Sequence, residues 1–306
     1  MQSNPVVYNP SMEEELSGAL GFEEELNVRG GLFQLVTSQR DGESAVYRSE
    51  DGTRYLRVGK PGRIRKDLDL HKQMEAAGFP VAKLIGEGET NGKYYFIESS
   101  LGERRFGDLF GDDVKRDKVI AEDHFSEFLS VVECFGRAQL TTVVPPDFDG
   151  FARGVHLDWL SAELPQYEKV IAKRFQEITK RLSVFPFVIS HGDLNANNLY
   201  PEGVIDLEDS FRGPFGYDLM SALVHIGYFP DSAEYEYFAR YRFTPDQANR
   251  YRAMADTLSQ KAGFPPLSRF EADFDFCRGA WSLVRMHKWP KLQEFRYNLF
   301  IKKFLL

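Results

Sequence analysis

The sequence predicts an α+β fold of two lobes, a small β-rich N-lobe over residues 1–99 and a larger, mainly helical C-lobe over residues 100–306. Three observations predict it. The first hundred residues hold short β-type runs separated by Asp-Gly and Asn-Gly pairs, the strongest short-range hairpin signals. The remainder carries apolar residues at helical spacing. Between them in character, residues 187–206 read as strand, loop, short strand, turn and strand, with oxygen-bearing side chains gathered where the strands end. A length of 306 residues fits two lobes at roughly 100–200 residues each.

Taken in order, residues 12–20 read as a short acidic helix that Gly21 stops. Residues 32–36, 45–48 and 54–58 are strands, with Asp41-Gly42 and Asp51-Gly52 as the turns. A basic run, Lys60 to Lys66, reads as a solvated connection into a helix over 67–77, which Gly78 ends and Pro80 follows. Strands at 83–86 and 93–98 flank the Asn91-Gly92 turn. Helices are then expected over 124–140, 158–182, 217–226, 245–262 and 272–288. The basic, amphipathic end, residues 296–304, is expected to dock onto the helical lobe.

Hydrophobic content of 42% with 14% aromatics supports a packed, soluble core. A net charge of -8 argues against nucleic acid as a partner, since phosphate contacts need clustered Lys and Arg. The sequence has no secretory signal pattern and no apolar run of membrane-spanning length, so a cytoplasmic protein without membrane contact is expected. Cys134 and Cys277 form no CxxC pair and are expected to be buried free thiols.

The chemistry lies in Ser190-His191-Gly192-Asp193, in Asn198 five residues on, and in Asp206 after the Pro201-Glu202-Gly203 turn. Phosphoryl transfer uses such a set: one carboxylate facing the attacking hydroxyl, and an amide and a second carboxylate holding Mg²⁺ on nucleotide phosphates. The spacing matches the Asp-x-x-x-x-Asn catalytic loop of protein kinases, with Gly192 in place of Arg and Asp206-Leu207-Glu208-Asp209 in place of Asp-Phe-Gly. This variant resembles the aminoglycoside phosphotransferase and choline kinase family of small-molecule kinases, which share the protein-kinase-like fold, over about residues 13–229. A Gly213-Pro214 and Tyr217-Asp218-Leu219 stretch extends the resemblance.

The resemblance implies that Asp193 orients the acceptor hydroxyl, that Asn198 and Asp206 hold Mg²⁺, and that Asp218 braces the loop through backbone N–H groups. His191 is expected to brace the loop through its ring, and Asp209 either helps metal or substrate or forms a structural salt bridge. It puts a nucleotide-covering loop at residues 38–44, where Ser38, Gly42 and Ser44 would meet phosphates; an ordinary hairpin is the alternative. Arg57 stands where the phosphate-pairing cation of the third strand is expected, with Lys60 as rival. Its acidic partner is expected to be Asp67, or Asp69. The Glu98 carbonyl and Ser100 N–H are the candidate adenine readers of a hinge segment.

For the acceptor wall the sequence offers Glu271, Asp273, Asp275, Trp281, Arg285 and Trp289, although Phe274, Phe276, Trp281 and Val284 also have core spacing. The expected activity is Mg²⁺-dependent transfer from ATP or GTP to a hydroxyl of a small molecule. A catalytically silent nucleotide-binding protein of the same fold is the alternative, supported by Arg57. A protein kinase is disfavoured, because the chain lacks a Gly-x-Gly-x-x-Gly loop and an Ala-Pro-Glu segment.

Overall fold

The first strands are β1 (Glu25–Val28), β2 (Gly31–Ser38), β3 (Ser44–Ser49) and β4 (Arg54–Gly59), followed by helix α1 (Pro61–Ala76), β5 (Leu84–Thr90) and β6 (Lys93–Ser99). The structure, a computed structural model, describes residues 21–38, 43–285 and 289–306; the acidic helix expected at 12–20 and the Asp41-Gly42 turn lie outside them. The chain divides into two compact units: the described residues through Glu75 with Ala82–Ser100, and Ala76–Val81 with Leu101–Leu306.

The first unit is a six-stranded antiparallel sheet in the order β1-β2-β3-β4-β6-β5. Alternation puts Phe33, Tyr47, Leu56, Val58 and Ile97 into one buried cluster. β1 is not legible in the sequence. It pairs with β2 across Arg29-Gly30, both at positive φ (51° and 74°), and Arg is no turn signal. The Lys60–Lys66 run is not a loop, because α1 already starts at Pro61. A proline is pre-organised for the first helical position, where its missing N–H has no intrahelical partner to lose. Ile64 and Leu68 then bury against Phe96.

In the second unit the segments before the catalytic region are α2 (Phe106–Asp117), α3 (Glu122–Gln139), α4 (Phe148–Gly154), α5 (Leu157–Glu163) and α6 (Glu168–Leu182). The single helix expected at 158–182 is therefore two. Pro165, which lacks an N–H and clashes with the preceding turn, opens a 3₁₀ turn between them. Four strands follow: β7 (Phe187–Ser190), β8 (Leu199–Tyr200), β9 (Gly203–Val204) and β10 (Phe211–Pro214). β7 pairs with β10 and β8 with β9, both antiparallel. The remaining helices are α7 (Tyr217–Val224), α8 (Glu236–Ala239), α9 (Pro245–Lys261), α10 (Glu271–Arg285) and α11 (Pro290–Phe300). Residues 286–288, where the α10 pattern was expected to continue, lie outside the described residues.

Phenylalanines dominate this core. Phe128 of α3 is fully buried, with ring centroids 5.5 Å from Phe106, 5.3 Å from Phe110 and 5.8 Å from Phe243. At the C-terminal end Phe300 and Phe304 pack on Phe276 at 5.2 and 5.5 Å, so the basic end docks on this unit. Both cysteines are free, but only Cys277 is buried. Cys134 is exposed because Val131, Val132 and Phe135 take the inner face of α3. Among the described residues no helix is long and apolar enough to cross a membrane. Phe128→Ala should lower the unfolding free energy by about 3–5 kcal/mol in urea titrations, since the surrounding rings cannot close the cavity fully.

Candidate active site

Gly192 sits at φ +86°, where a Cβ would collide with the Asp209 carbonyl oxygen. That turn aims two consecutive N–H groups, of His191 (2.9 Å) and Gly192 (3.0 Å), at the carboxylate of Asp218 near the start of α7. Gln139 at the end of α3 donates to the same carboxylate at 2.7 Å and to the Ile189 carbonyl at 2.9 Å. Burial pushes the Asp218 carboxyl up, and these three donors oppose it. The His191 ring spans the loop: its Nε2–H donates to the Ile205 carbonyl at 2.7 Å, which leaves Nδ1 to accept from the Asp193 N–H at 3.2 Å.

Asp193 is held at several points. Its carbonyl accepts from the side-chain amides of Asn195 and Asn198, both at 2.9 Å. Its Oδ1 accepts from Asn195 at 3.1 Å and from Arg278 at 2.6 Å. Oδ2 has the Asn198 amide at 3.4 Å. Arg278, in the middle of α10, was not foreseen. It is 1% exposed, donates also to the Gly192 carbonyl at 3.1 Å, and shares Nη2 with His225 Nδ1 at 2.8 Å. A signal for it exists in the sequence: Phe274, Cys277, Arg278 and Trp281 share one helical face, so the charge stands in an apolar stripe. Burial, the largest single influence, acts to raise the Asp193 carboxyl, but the Arg278 guanidinium, His225 and His191 together outweigh it and the net shift is downward, keeping Asp193 ionised. Burial and the same guanidinium push His225 down to about 3, so its ring is neutral.

Asn198 and Asp206 come together through the β8–β9 hairpin. Leu199 pairs with Val204, and the Ile205 N–H donates to the Asn198 carbonyl at 3.0 Å, so Asp206 follows directly after the residue opposite Asn198. Asp206 is in the left-handed region at φ +66°, which turns the chain into the short helix Leu207–Asp209. The Asn198 amide nitrogen is spent on Asp193, so its oxygen is the atom left for a cation. Among the described residues no group of three His, Cys, Asp or Glu could hold a metal by itself. Two oxygens suit Mg²⁺, which takes its remaining ligands from phosphates and water.

The first unit corrects two expectations. The carboxylate hydrogen-bonded to Arg57 is Glu98 of the adjacent strand β6, with Nε at 3.0 Å from Oε1. Asp67 is ion-paired with Arg63 one turn earlier at 3.5 Å and also feels the Arg57 charge, while Asp69 is exposed. Glu98 is buried and also lies 3.4 Å from His71 Nδ1 of α1. The second correction concerns adenine: the Ser100 N–H donates to the Thr53 carbonyl at 2.8 Å and is not available to read a base. Lys60, at the strand end, pairs with Glu43 at 2.7 Å on the surface. Ser38 ends β2 partly buried, Ser44 is buried within β3, and Gly42 lies outside the described residues.

The acceptor-wall candidates are mostly engaged elsewhere. Glu271 takes a two-point ion pair from Arg252 (2.7 and 3.0 Å), and Asp273 takes one from Arg181 (2.9 and 2.7 Å). Asp275 is buried between the Tyr228 hydroxyl at 2.5 Å and Lys303. Trp281 is buried under the Arg278 guanidinium, 4.1 Å from its ring. Phe274 and Phe276 are core. The Arg285 side chain lies outside what the structure describes, and Trp289 is partly exposed near Phe238.

Comparison with known proteins gives a consistent result. The phosphotransferase enzyme family, APH, matches residues 36–256. An ethanolamine kinase from Plasmodium vivax superposes with a TM-score of 0.56 at 15% identity, covering 89% of this chain and 84% of that one. The apo form of a thermostable mutant of aminoglycoside phosphotransferase APH(4)-Ia gives 0.54 at 15% identity, over 88% and 94%. A protein from Ralstonia eutropha JMP134 described as a putative aminoglycoside phosphotransferase gives 0.51 at 14%, over 96% and 95%. No curated protein matches the sequence. The identities are low enough that these structures speak for the fold, a curled antiparallel sheet followed by a mainly helical part, and for nothing finer.

His225 makes stability depend on pH. Its folded pKa, about 3, lies below the ordinary histidine value, so between the two the unfolded chain binds a proton that the folded chain refuses. The unfolding free energy should therefore fall as pH drops from about 6.5 toward 3, by up to about 1.4 kcal/mol per pH unit from this group. His225→Gln should flatten that slope in urea titrations run across the window.

Proposed function

Because the chain belongs to the phosphotransferase enzyme family, we propose that it is a cytoplasmic small-molecule kinase that moves the γ-phosphate of ATP or GTP to a hydroxyl acceptor. The observation that carries this reading is the loop around Asp193. An ionised carboxylate is held at its backbone and at one oxygen, while Oδ2 has only a long contact to Asn198. In the proposed step the acceptor oxygen bonds to the γ-phosphorus as the bridging P–O bond breaks. The nucleoside diphosphate leaves with that electron pair, and the hydroxyl proton passes to Oδ2. Because the transition state is loose, orientation of the hydroxyl contributes more than basicity.

Asn198 Oδ1 and the Asp206 carboxylate would hold Mg²⁺, which supplies charge neutralisation on the phosphates. In the first unit, Arg57 is given the phosphate-pairing part, its guanidinium oriented by Glu98. Asp218 and His191 support the loop, and Asp209 remains a candidate for the metal side. The ethanolamine kinase and the aminoglycoside phosphotransferase of the same fold make amino alcohols and aminosugars the first acceptors to try.

The test is ADP and GDP release across a panel of sugars, amino alcohols, amino acids and aminoglycosides. One compound should stimulate release in the presence of Mg²⁺, and Asp193→Asn should lower that rate by about 100-fold or more without abolishing nucleotide binding. Release that is unaffected by Asp193→Asn would remove the reading. Glu98→Gln should raise the Kd for Mg·ATP about tenfold, as Arg57 loses its charged partner, with little change in kcat; titration calorimetry checks it.

A further inference from the structure

We infer that Arg278 is a positioning residue for phosphoryl transfer, a guanidinium that locks the Asp193 carboxylate with Oδ1 anchored and Oδ2 turned to the acceptor; this rests on the function proposed above. The fork grips two consecutive residues at once. Nη1 donates to the Gly192 carbonyl at 3.1 Å and Nη2 to Asp193 Oδ1 at 2.6 Å, so the main chain before the carboxylate and the carboxylate itself are held as one piece. The guanidinium is held in turn by His225 Nδ1, which accepts from Nη2 at 2.8 Å, and by the Trp281 ring, 4.1 Å from Cζ. The side chain of Arg278 is 2% exposed, whereas that of Asp193 is 19% exposed. The lock is therefore inside and the carboxylate it holds is reachable.

The competing account makes Arg278 a rivet that attaches α10. That attachment is already made by Arg181 to Asp273, Arg252 to Glu271 and Tyr228 to Asp275. Burying a guanidinium also costs several kcal/mol of desolvation, and an apolar side chain of similar volume would anchor a helix at least as well. What an apolar side chain cannot do is hold a carboxylate in one orientation. Lysine cannot do it fully either, since a single ammonium lacks the planar fork that reaches a carbonyl, a carboxylate oxygen and a ring nitrogen together.

The test is a cycle of Arg278→Lys, Asp193→Asn and the double variant in the full chain. It is read by ADP release from Mg·ATP with water and with the acceptor panel. Arg278→Lys should lower kcat about 100-fold, the scale of a displaced catalytic group, with KM for ATP changed less than about twofold. In the Asp193→Asn background the same change should cost nothing further, because Arg278 acts through that carboxylate. A rivet would cost the same in both backgrounds, and that result overturns the inference, as does a kcat for Arg278→Lys within about threefold of the parent. Should Arg278→Lys melt too low to assay, urea unfolding of the same cycle decides. A destabilisation present with Asp193 and absent in the Asp193→Asn background supports the lock, and equal destabilisation overturns it. A parent chain silent with water and every acceptor overturns the kinase reading and this inference together, whereas an active parent with an unaffected Arg278→Lys overturns only the inference.

Discussion

The candidate site depends on one buried carboxylate, Asp218. It is fully buried and accepts two consecutive backbone N–H groups, which is possible only because Gly192 turns the chain at positive φ. Each of those N–H groups would cost about 1–3 kcal/mol if left buried without an acceptor. The turn, the carboxylate and Gln139 are thus mutually required, and α3, β7 and α7 are joined at that point. From the fixed turn the His191 ring carries the constraint across to Ile205 and back to the Asp193 N–H. The position of Asp193 follows from these hydrogen bonds together with those that its own carbonyl and Oδ1 accept from Asn195, Asn198 and Arg278.

The loop was legible in the sequence because its chemistry is local. His191, Gly192, Asp193, Asn198 and Asp206 lie within sixteen residues on a short hairpin, so spacing along the chain translates directly into spacing in the fold. Strands with Asn-Gly or Asp-Gly turns were legible for the same reason, and β1 was not, since Arg29 adopts the left-handed conformation without being a residue that announces it. Helix interiors were read well and helix starts poorly. Pro61 opens α1 and Pro165 divides α5 from α6, and in both places a proline near a polar run decided the boundary that periodicity alone left open.

Partners brought together from distant segments were not legible. Arg57 meets Glu98 because β4 and β6 are neighbours in the sheet, 41 residues apart in the chain, while the helical acid expected from the resemblance, Asp67, makes its ion pair with Arg63 and adds only its charge to Arg57. Arg278 meets Asp193 across 85 residues. Each pair puts a guanidinium beside a buried or half-buried carboxylate, and neither member looks unusual alone. The usable sign was negative in kind: an arginine in an apolar helical stripe must be neutralised by something, and the only question was by what.

The same reasoning bears on the acceptor. The acidic residues of α10 suggest, in sequence, a wall attractive to amines, but Glu271, Asp273 and Asp275 are neutralised by Arg252, Arg181 and Lys303. Their charge is spent on holding the helix in place. The group nearest Asp193 from that helix is a cation, not an acid. An amine-bearing acceptor would therefore have to find its counter-charge elsewhere than in these three carboxylates, and fold likeness to an ethanolamine kinase does not provide it. In this chain the loop around Asp193 is held by backbone hydrogen bonds and one buried ion pair, and the composition of α10 says little about any acceptor because its charges serve packing.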